Sequence, residues 1–406
     1  MQPTQTHILS NGLRIIHHTF PSQISYCGFA INTGTRDEMD DEHGMAHFVE
    51  HLLFKGTKKR KAHHIANRME NVGGDLNAYT TKEETFLYAT FLEEYFPRAV
   101  ELLSDLVLHS EFSSTQIERE RDVILDEINS YHDSPAEQIY DDFENLLFAG
   151  NDIGHYILGN PQSLETFDSR KIRDFVARQY HPSQMIFFSF GKTPFDKVVR
   201  RVEHFFSFAK TPCCAKKRTA PTTVVPKTET FRKNTAQSHL MLGCRAFDMH
   251  NPLRYPLHLL NNMLGGGALN SRFNVSLRER HGLVYNVESG VTFYSDTGLF
   301  SVYFACDPKH VERCIRLVNK EIEKFRNQPL TTMQLSLAKK QWKGQLGIAS
   351  ENNENVALRM AKSFLHTNTY PTIDEVFSRI DSITASQLTE VANMLSTDSF
   401  FRLEYQ

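Results

Sequence analysis

The sequence lacks any apolar run long enough to cross a membrane. No apolar stretch in its 406 residues approaches the roughly 18–20 residues that a membrane-spanning helix requires. Residues 1–15 show neither a basic start followed by an apolar stretch nor an arginine-rich amphipathic pattern, so they match neither a secretory signal nor a mitochondrial transit peptide. We therefore expect a cytoplasmic protein that does not interact with membranes.

The six cysteines show neither the spacing of a disulfide framework nor that of a cysteine zinc site. They are scattered along the chain, at Cys27, Cys213, Cys214, Cys244, Cys306 and Cys314. No pair has the C-x2-C spacing, and the adjacent Cys213 and Cys214 are poorly placed to chelate one ion. This distribution is typical of a protein in a reducing compartment.

The chain also lacks an excess of charge of one sign. Its formal net charge is −3, and acidic and basic residues are interspersed. This balance excludes a broad nucleic-acid or membrane-binding surface. Two short basic runs, KGTKKRK and CCAKKR, are interpreted as solvated surface, so we expect no nucleic-acid partner.

The length of the chain suits two domains of about 200 residues each. Residues 211–228 are rich in Pro, Thr and Lys and predict a linker between an N-terminal domain, 1–210, and a C-terminal domain, 229–406. A strand followed by an amphipathic helix is predicted at 85–107 and again at 299–322, so the halves resemble repeats. We predict an α+β fold of two homologous domains, each a mostly antiparallel sheet covered by helices.

The run HFVEH at positions 47–51 is the strongest chemical signal. In a helix His47 and His51 lie on one face, and neutral imidazoles at that spacing are suited to bind zinc. Glu50 lies close enough to act as a base beside the metal. The order H-x-x-E-H is the inverzincin form of the zinc-protease helix.

The alternative is a solvated helix that carries two histidines without a metal. Against it, the segment GMAHFVEHLLFKG is apolar on nearly all sides, which is typical of a buried helix. Buried imidazoles and carboxylates need partners, and a metal ion would supply them.

A second predicted helix, 116–131, carries Glu120 and Glu127, which are two turns apart and share a face. One of them could bind zinc, and the other could hold a ligand imidazole in the productive tautomer. The alternative is that both are surface carboxylates paired with neighbouring arginines.

Several segments together resemble the pitrilysin and mitochondrial processing peptidase family of zinc metallopeptidases, in the branch with one pair of domains per chain. These segments are EHGMAHFVEHLLFKGTKKR, NVGGDLNAYTTKEETFLYATF, ERERDVILDEI and MLGGGALNSRFNVSLRERHGLVYNVESG. The resemblance implies that His47, His51 and Glu127 bind one Zn²⁺ per chain. It makes Glu50 the general base and Glu120 the acid that supports a ligand. The second half has no such motif, and its corresponding helix holds only His258.

The resemblance also implies substrate-binding residues. Residues 76–91 predict one or two strands, and Asn77 and Ala78 match an edge strand that pairs with extended substrate. Without the resemblance, Asn77 would be a turn residue. Arg278 and Tyr285 match residues that contact the substrate backbone and the developing oxyanion; the alternative is a charged loop and a core tyrosine.

The resemblance suggests roles for two further features. Glu137 and Asp141 match acidic residues that receive an arginine near the cleavage site, which predicts a preference for a basic residue there; a solvated acidic face is the alternative. The glycine loop 265–267 is interpreted either as a substrate-capture loop, as in the related heterodimeric enzymes, or as a tight turn.

These features predict a zinc-dependent endopeptidase that cleaves peptides or unfolded polypeptide segments. A non-catalytic partner subunit is the first alternative, but such members typically lose the motif, which this chain keeps. A zinc-binding module without turnover is the second, and it would need neither Glu50 nor a substrate strand. The resemblance implies a homodimer, with a heterodimer that includes a motif-lacking paralogue as the alternative.

Overall fold

The computed structural model describes residues 4–207, 217–222 and 224–406. Residues 211–216 and 223 of the predicted linker lie outside the described residues. Its described residues, 217–222 and 224–227, form neither helix nor strand.

The described part of the chain contains eleven strands and fourteen α-helices. The strands are β1 (Gln5–Ile8), β2 (Arg14–Thr19), β3 (Ile24–Ile31), β4 (Asp75–Thr80), β5 (Thr85–Leu92), β6 (Met185–Gly191), β7 (Thr228–Phe231), β8 (Ser238–Ala246), β9 (Val284–Phe293), β10 (Gly298–Cys306) and β11 (Phe401–Tyr405). The helices are α1 (Met45–Leu53), α2 (Ala62–Glu70), α3 (Phe96–His109), α4 (Ser114–His132), α5 (Pro135–Leu147), α6 (Pro161–Glu165), α7 (Ser169–Gln179), α8 (Phe195–Phe206), α9 (Arg254–Leu264), α10 (Val311–Asn327), α11 (Thr332–Ala349), α12 (Asn353–Thr367), α13 (Ile373–Asp381) and α14 (Ala385–Met394). A π-helical segment spans Asn274–Arg280.

The chain divides into two compact units that are discontinuous in sequence. The first unit draws on Met1–Ile128, His155–Arg218 and Ala349–Tyr370, and the second on Asn129–Gly154, Thr219–Ile348 and Pro371–Gln406. The domain boundaries at 1–210 and 229–406 remain a prediction. The two compact units differ from these ranges because α5 belongs to the second unit and α12 to the first.

The sheet of the first unit has six strands in the order β1-β2-β6-β3-β5-β4. All its neighbouring strands are antiparallel except β2 and β6. All seven residues of β6 (MIFFSFG) are buried, as expected for a strand covered on both faces. One face packs against α1, α3, α7 and α8, and the other packs against α12, so an apolar core lies on each side.

The second unit repeats this construction around five strands in the order β7-β11-β8-β10-β9. Only β7 and β11 are parallel. Helices α9, α10 and α14 pack on one face of the sheet, and α5 packs on β8 and β11 at the other. The predicted α+β class with two similar, mostly antiparallel sheets covered by helices is confirmed.

The predicted repeat is also present in both units. The first unit places β5 before α3, and the second places β10 before α10.

The long helices of the described residues are all too polar for a membrane-spanning segment.

A candidate metal centre on two helices of the first unit

The start of α1 is fixed by a glycine and a buried carboxylate. Gly44 has φ +90°, and a Cβ there would lie 2.7 Å from the Leu158 carbonyl oxygen and 2.8 Å from the Gly159 Cα. The Glu38 carboxylate accepts hydrogen bonds from the backbone N–H groups of Gly44 (2.9 Å) and Ala46 (2.8 Å). These two hydrogen bonds satisfy backbone N–H groups at the start of the helix and hold α1 at one position.

Helix α1 is buried on nearly all sides, as its sequence predicts. Seven of its nine residues are buried: Met45, Ala46, His47, Phe48, Val49, Leu52 and Leu53. Glu50 and His51 are half-buried. The alternative of a solvated helix is therefore wrong, and the polar side chains of this motif need partners inside the first unit.

Three potential metal ligands meet where α1 faces α4. His47 Nε2 lies 3.8 Å from Glu127 Oε2, and His51 Nε2 lies 3.7 Å from the same oxygen. All three ligand atoms lie within 4.8 Å of one another. The two distances are too long for hydrogen bonds. Ligands about 2.1 Å from a tetrahedral zinc ion lie about 3.4 Å apart, so the spacing and the N,N,O donor set fit zinc.

The protonation of His47 also suits a metal ligand. Burial, with a smaller contribution from the nearby His51, lowers the pKa of His47 to about 3. The imidazole is therefore neutral near pH 7, and only the neutral form can bind a metal through Nε2. Its other nitrogen, Nδ1, is buried without a hydrogen-bond partner in the described part of the chain.

Glu120 orients the second imidazole. Helix α4 spans Ser114–His132, which confirms the helix predicted at 116–131, and Glu120 is buried on it. His51 Nδ1 lies 3.3 Å from Glu120 Oε2, and Lys55 Nζ lies 2.9 Å from Glu120 Oε1. Because a carboxylate only accepts, Nδ1–H donates and Nε2 stays free for a metal. Glu120 is thus not a surface carboxylate.

Glu50 is held by a strand residue that the sequence analysis did not single out. Thr80 Oγ1 donates a 2.6 Å hydrogen bond to Glu50 Oε2. Burial raises the pKa of Glu50, while this hydrogen bond and the nearby His51 act in the opposite direction. Strand periodicity could have identified Thr80, because it lies two residues after Ala78 on the same face of the strand.

Strand β4 lies at the edge of its sheet. It pairs with β5 on one side and has no strand partner on the other among the described residues. Ala78 packs against the core, and Asn77 Nδ2 donates to Asp75 Oδ2 at 2.6 Å. The two strands β4 and β5 confirm the strands predicted at 76–91, and the interpretation of Asn77 as a turn residue is wrong.

Arg278 and Tyr285 lie close to each other in the second unit. Arg278 is in the π-helical segment, and Tyr285 is in β9. The Arg278 guanidinium lies 5.7 Å from the centre of the Tyr285 ring, and Tyr285 is 84% exposed. Tyr285 is therefore not a core tyrosine, and Arg278 Nε lies 3.7 Å from the Glu279 carboxylate.

Glu137 and Asp141 both lie on α5 of the second unit, one turn apart. Glu137 is exposed, and Asp141 is half-buried. Their helix packs its apolar face, including Ile139 and Phe143, against the sheet. The structure therefore places both carboxylates on one helix.

The glycine loop in the second unit packs closely against its surroundings. A Cβ on Gly265 would lie 2.7 Å from the backbone nitrogen of Ser289, and one on Gly266 would lie 2.8 Å from the Asn262 Cα. By contrast, a Cβ on Gly267 would meet nothing within 4 Å. Close packing thus explains the first two glycines and favours the tight-turn interpretation for them.

Among the described residues, His258 belongs to no group of three potential metal ligands. The His258 ring lies 4.9 Å from that of Phe293 and 5.8 Å from that of Trp342, and burial lowers its pKa to about 4. His258 therefore packs as an apolar, neutral side chain. The three-residue ligand clusters of the described residues both lie in the first unit.

The second of these clusters comprises Glu83, Glu84 and His366. Its carboxylates already have cationic partners: Arg36 bonds Glu83 at 2.6 Å, Arg218 lies near it, and Lys362 pairs with Glu84. Burial alone would raise the pKa of Glu84, but the His366 hydrogen bond and the Lys362 charge hold it at about 2. The cluster is charge-compensated without a metal.

Models of two protein families together match most of the sequence. Residues 14–160 match the family described as Insulinase (Peptidase family M16). Residues 166–342 match the one described as Peptidase M16 inactive domain.

Bacterial proteins named as zinc proteases align with almost the whole chain. Uncharacterized zinc protease YmxG of Bacillus subtilis is 29% identical, and the alignment covers 96% of this chain and 95% of that protein. Uncharacterized zinc protease Mb2805c of Mycobacterium bovis is 33% identical, with 95% and 89% covered.

Solved structures share the fold. A protease from Helicobacter pylori superposes with a TM-score of 0.94 at 20% identity and covers 100% of this chain and 99% of that chain. A Pseudomonas fluorescens structure described as a peptidase M16 inactive domain gives a TM-score of 0.92 at 18% identity, with 99% and 97% covered.

Proposed function

Because this chain belongs to the M16 peptidase family, we propose that it is a zinc-dependent endopeptidase that hydrolyses peptides or unfolded polypeptide segments. The observation that carries the proposal is the cluster of His47, His51 and Glu127 beside a half-buried Glu50 and an edge strand. The names of the relatives as zinc proteases support it.

His47, His51 and Glu127 would hold one zinc ion, with Glu120 supporting His51. When bound, zinc supplies a Lewis acid that polarises a peptide carbonyl and makes water more acidic. Glu50 accepts the proton of the attacking water and passes it to the leaving amine. The Thr80 hydrogen bond supports this role, because it holds the Glu50 carboxylate in one position beside the metal cluster.

Strand β4 is the proposed binding site for the substrate backbone. An extended peptide can add to a free sheet edge through main-chain hydrogen bonds, which accept many sequences. Asn77 and Ala78 lie in this strand, and Thr80 of the same strand bonds the base. Substrate on β4 would thus lie next to Glu50. We also propose Arg278 and Tyr285 as substrate-contacting residues, supported by the resemblance and by the exposure of Tyr285.

The experiment that tests the function is turnover of an internally quenched peptide that contains arginine. The purified chain should cleave it at an internal bond, lose this activity to a chelator, and recover it with zinc. Cleavage by the chain alone would also exclude an obligatory motif-lacking partner. No cleavage by zinc-loaded protein of any of a set of unfolded peptides would contradict the proposal.

Thr80→Val should lower kcat about ten- to hundredfold with little change in KM. Valine has a similar shape but cannot donate the hydrogen bond, and a bond to a charged group contributes about 1.5–3 kcal/mol. Steady-state kinetics with the quenched peptide measures both constants. Thr80→Ser keeps the hydroxyl and should retain most of the activity, and equal kcat values for Thr80→Val and wild type would exclude this role.

Glu137 and Asp141 are proposed to bind a basic substrate residue near the scissile bond. Glu137→Lys/Asp141→Lys should abolish any preference for arginine there, because it replaces two carboxylates by cations. Cleavage sites in a peptide library, identified by mass spectrometry, give the preference. Glu323→Lys/Glu390→Lys changes the same charge on exposed residues elsewhere in the second unit and should preserve it. An unchanged preference in the first variant would rule out this role.

A further inference from the structure

A basic cavity of about 630 Å³ lies beside the metal cluster in the first unit. It is formed by the loop that follows α1 and by the residues around the start of α4. Its cationic side chains are those of Lys55, Lys58, Lys59, Arg60 and Lys61. The single carboxylate among its described lining residues is Glu111. The cavity therefore concentrates positive charge.

Two of the five cations already have carboxylate partners. Arg60 pairs with Glu101 and Asp105, and Lys55 pairs with Glu120. The other three, Lys58, Lys59 and Lys61, are exposed and have no ion pair in the described part of the chain. Their charges repel one another, and a bound anion would offset this repulsion.

The loop that carries these lysines is held in one conformation. Thr57 Oγ1 donates to Asp105 Oδ2 at 2.8 Å and accepts from the backbone N–H groups of Lys59 and Arg60. The Lys58 N–H donates to the His109 carbonyl at 3.0 Å. Because the loop backbone is already ordered, ligand binding costs little additional backbone entropy.

Two helices also begin at the cavity. Helix α2 starts directly after Lys61 without a side-chain cap, and α4 starts at Ser114 between the lining residues Ser113 and Gln116. The partial positive charge of a helix N-terminus adds to that of the lysines. The helix ends thus add to the positive potential that the lysines create.

Lys55 links this cavity to the metal cluster. Its ammonium group lies 2.9 Å from Glu120 Oε1, and the other oxygen of Glu120 lies 3.3 Å from His51 Nδ1. The positive charge of Lys55 opposes a cation bound through His51. An anion beside Lys55 would neutralise part of that charge.

We propose that the cavity binds a phosphate-type oxyanion and that its occupation strengthens zinc binding at the neighbouring cluster through Lys55 and Glu120. This inference rests on the proposed function for its regulatory meaning. Reciprocity requires zinc to strengthen anion binding by the same factor as the anion strengthens zinc binding. The coupling should be about fivefold, at the low end of the usual range, since it acts through one intervening carboxylate rather than on the ion directly.

The first test is calorimetric titration of the zinc-free full chain with sulfate, a probe that binds free zinc only weakly. Saturable binding is expected. Lys58→Ala/Lys61→Ala should weaken it at least about tenfold, since each lysine contributes a charge-assisted contact. Lys320→Ala/Lys340→Ala removes two exposed lysines of the second unit that form no ion pair with any described residue, and it should leave sulfate binding within about twofold. Absence of saturable binding, or equal losses in both variants, would overturn the site.

The second test measures the zinc dissociation constant by competition with a chelating dye, with and without sulfate, at constant ionic strength. Sulfate should tighten zinc binding in the wild type. Lys55→Met should bind zinc more tightly without sulfate and should lose the response to it. An unchanged zinc dissociation constant with saturating sulfate would overturn the coupling. Both readouts are binding constants, so a failure of the peptidase proposal would not be mistaken for a failure of this one.

The source of the phosphate group is distinguished by two further titrations of zinc-free protein. Inorganic phosphate tests the free ion, and a nucleoside diphosphate tests an esterified group. Cavities of about 300–1,000 Å³ hold small organic ligands, so the volume admits either. The ligand that binds more tightly identifies the class of ligand. If neither ligand binds, the proposal is overturned.

Discussion

Glu50→Gln is expected to abolish peptide cleavage while zinc binding persists. A positioned general base contributes about 10²–10⁴-fold to a rate, and glutamine cannot accept the proton. The substitution keeps the size of the side chain, and the amide can still accept the Thr80 hydrogen bond. We therefore expect kcat to fall about a thousandfold, with metal content and KM close to those of the wild type. Turnover of the quenched peptide and metal analysis of the same samples measure both.

The matched control for this prediction is Glu118→Gln. Glu118 is exposed on α4, two residues before Glu120, and removing its charge should leave kcat within about twofold. A Glu50→Gln protein that retains a tenth of the wild-type kcat would exclude Glu50 as the base.

His51→Ala should weaken zinc binding by at least about a hundredfold. It removes one of three ligand atoms that lie within 4.8 Å of one another. Glu120→Gln should cost less, about tenfold, because it removes only the acceptor that orients His51; such supporting residues typically contribute 10–100-fold in metal affinity. Competition with a chelating dye measures the zinc dissociation constant of each variant.

His250→Ala provides the control for this comparison. His250 is exposed in the second unit, and its loss should leave the zinc dissociation constant unchanged. Equal zinc affinities of His51→Ala and wild type would contradict the ligand assignment. A larger loss in Glu120→Gln than in His51→Ala would reverse the roles assigned to these two residues.

Local sequence periodicity was enough to predict much of the fold and part of the candidate site. The four-residue spacing of His47 and His51 places both on one face of α1, and the seven-residue spacing of Glu120 and Glu127 does the same on α4. The apolar residues around the motif correctly predicted that α1 is buried. These features depend only on the geometry of a single helix, so they can be predicted from one segment of the sequence.

Contacts between distant segments could not be predicted in this way. Thr80 reaches Glu50 from a strand 30 residues away, and Lys55 reaches Glu120 from the end of another helix. Both residues lie in segments that carry the family resemblance, but the resemblance assigns a role to neither of them. Their roles depend on which side chains the packed core brings within hydrogen-bond distance, and periodicity within one element carries no information about that distance.

The sequence by itself determined the two similar halves, the buried motif helix and the types of side chain available to a metal. Only the tertiary structure decided that α5 packs on the sheet of the second unit and α12 on that of the first. The physical reason is that an amphipathic helix specifies which of its faces must be buried but not which apolar surface will cover it. That choice depends on the whole chain, because each sheet has two apolar faces and the helices close in sequence cover only one of them.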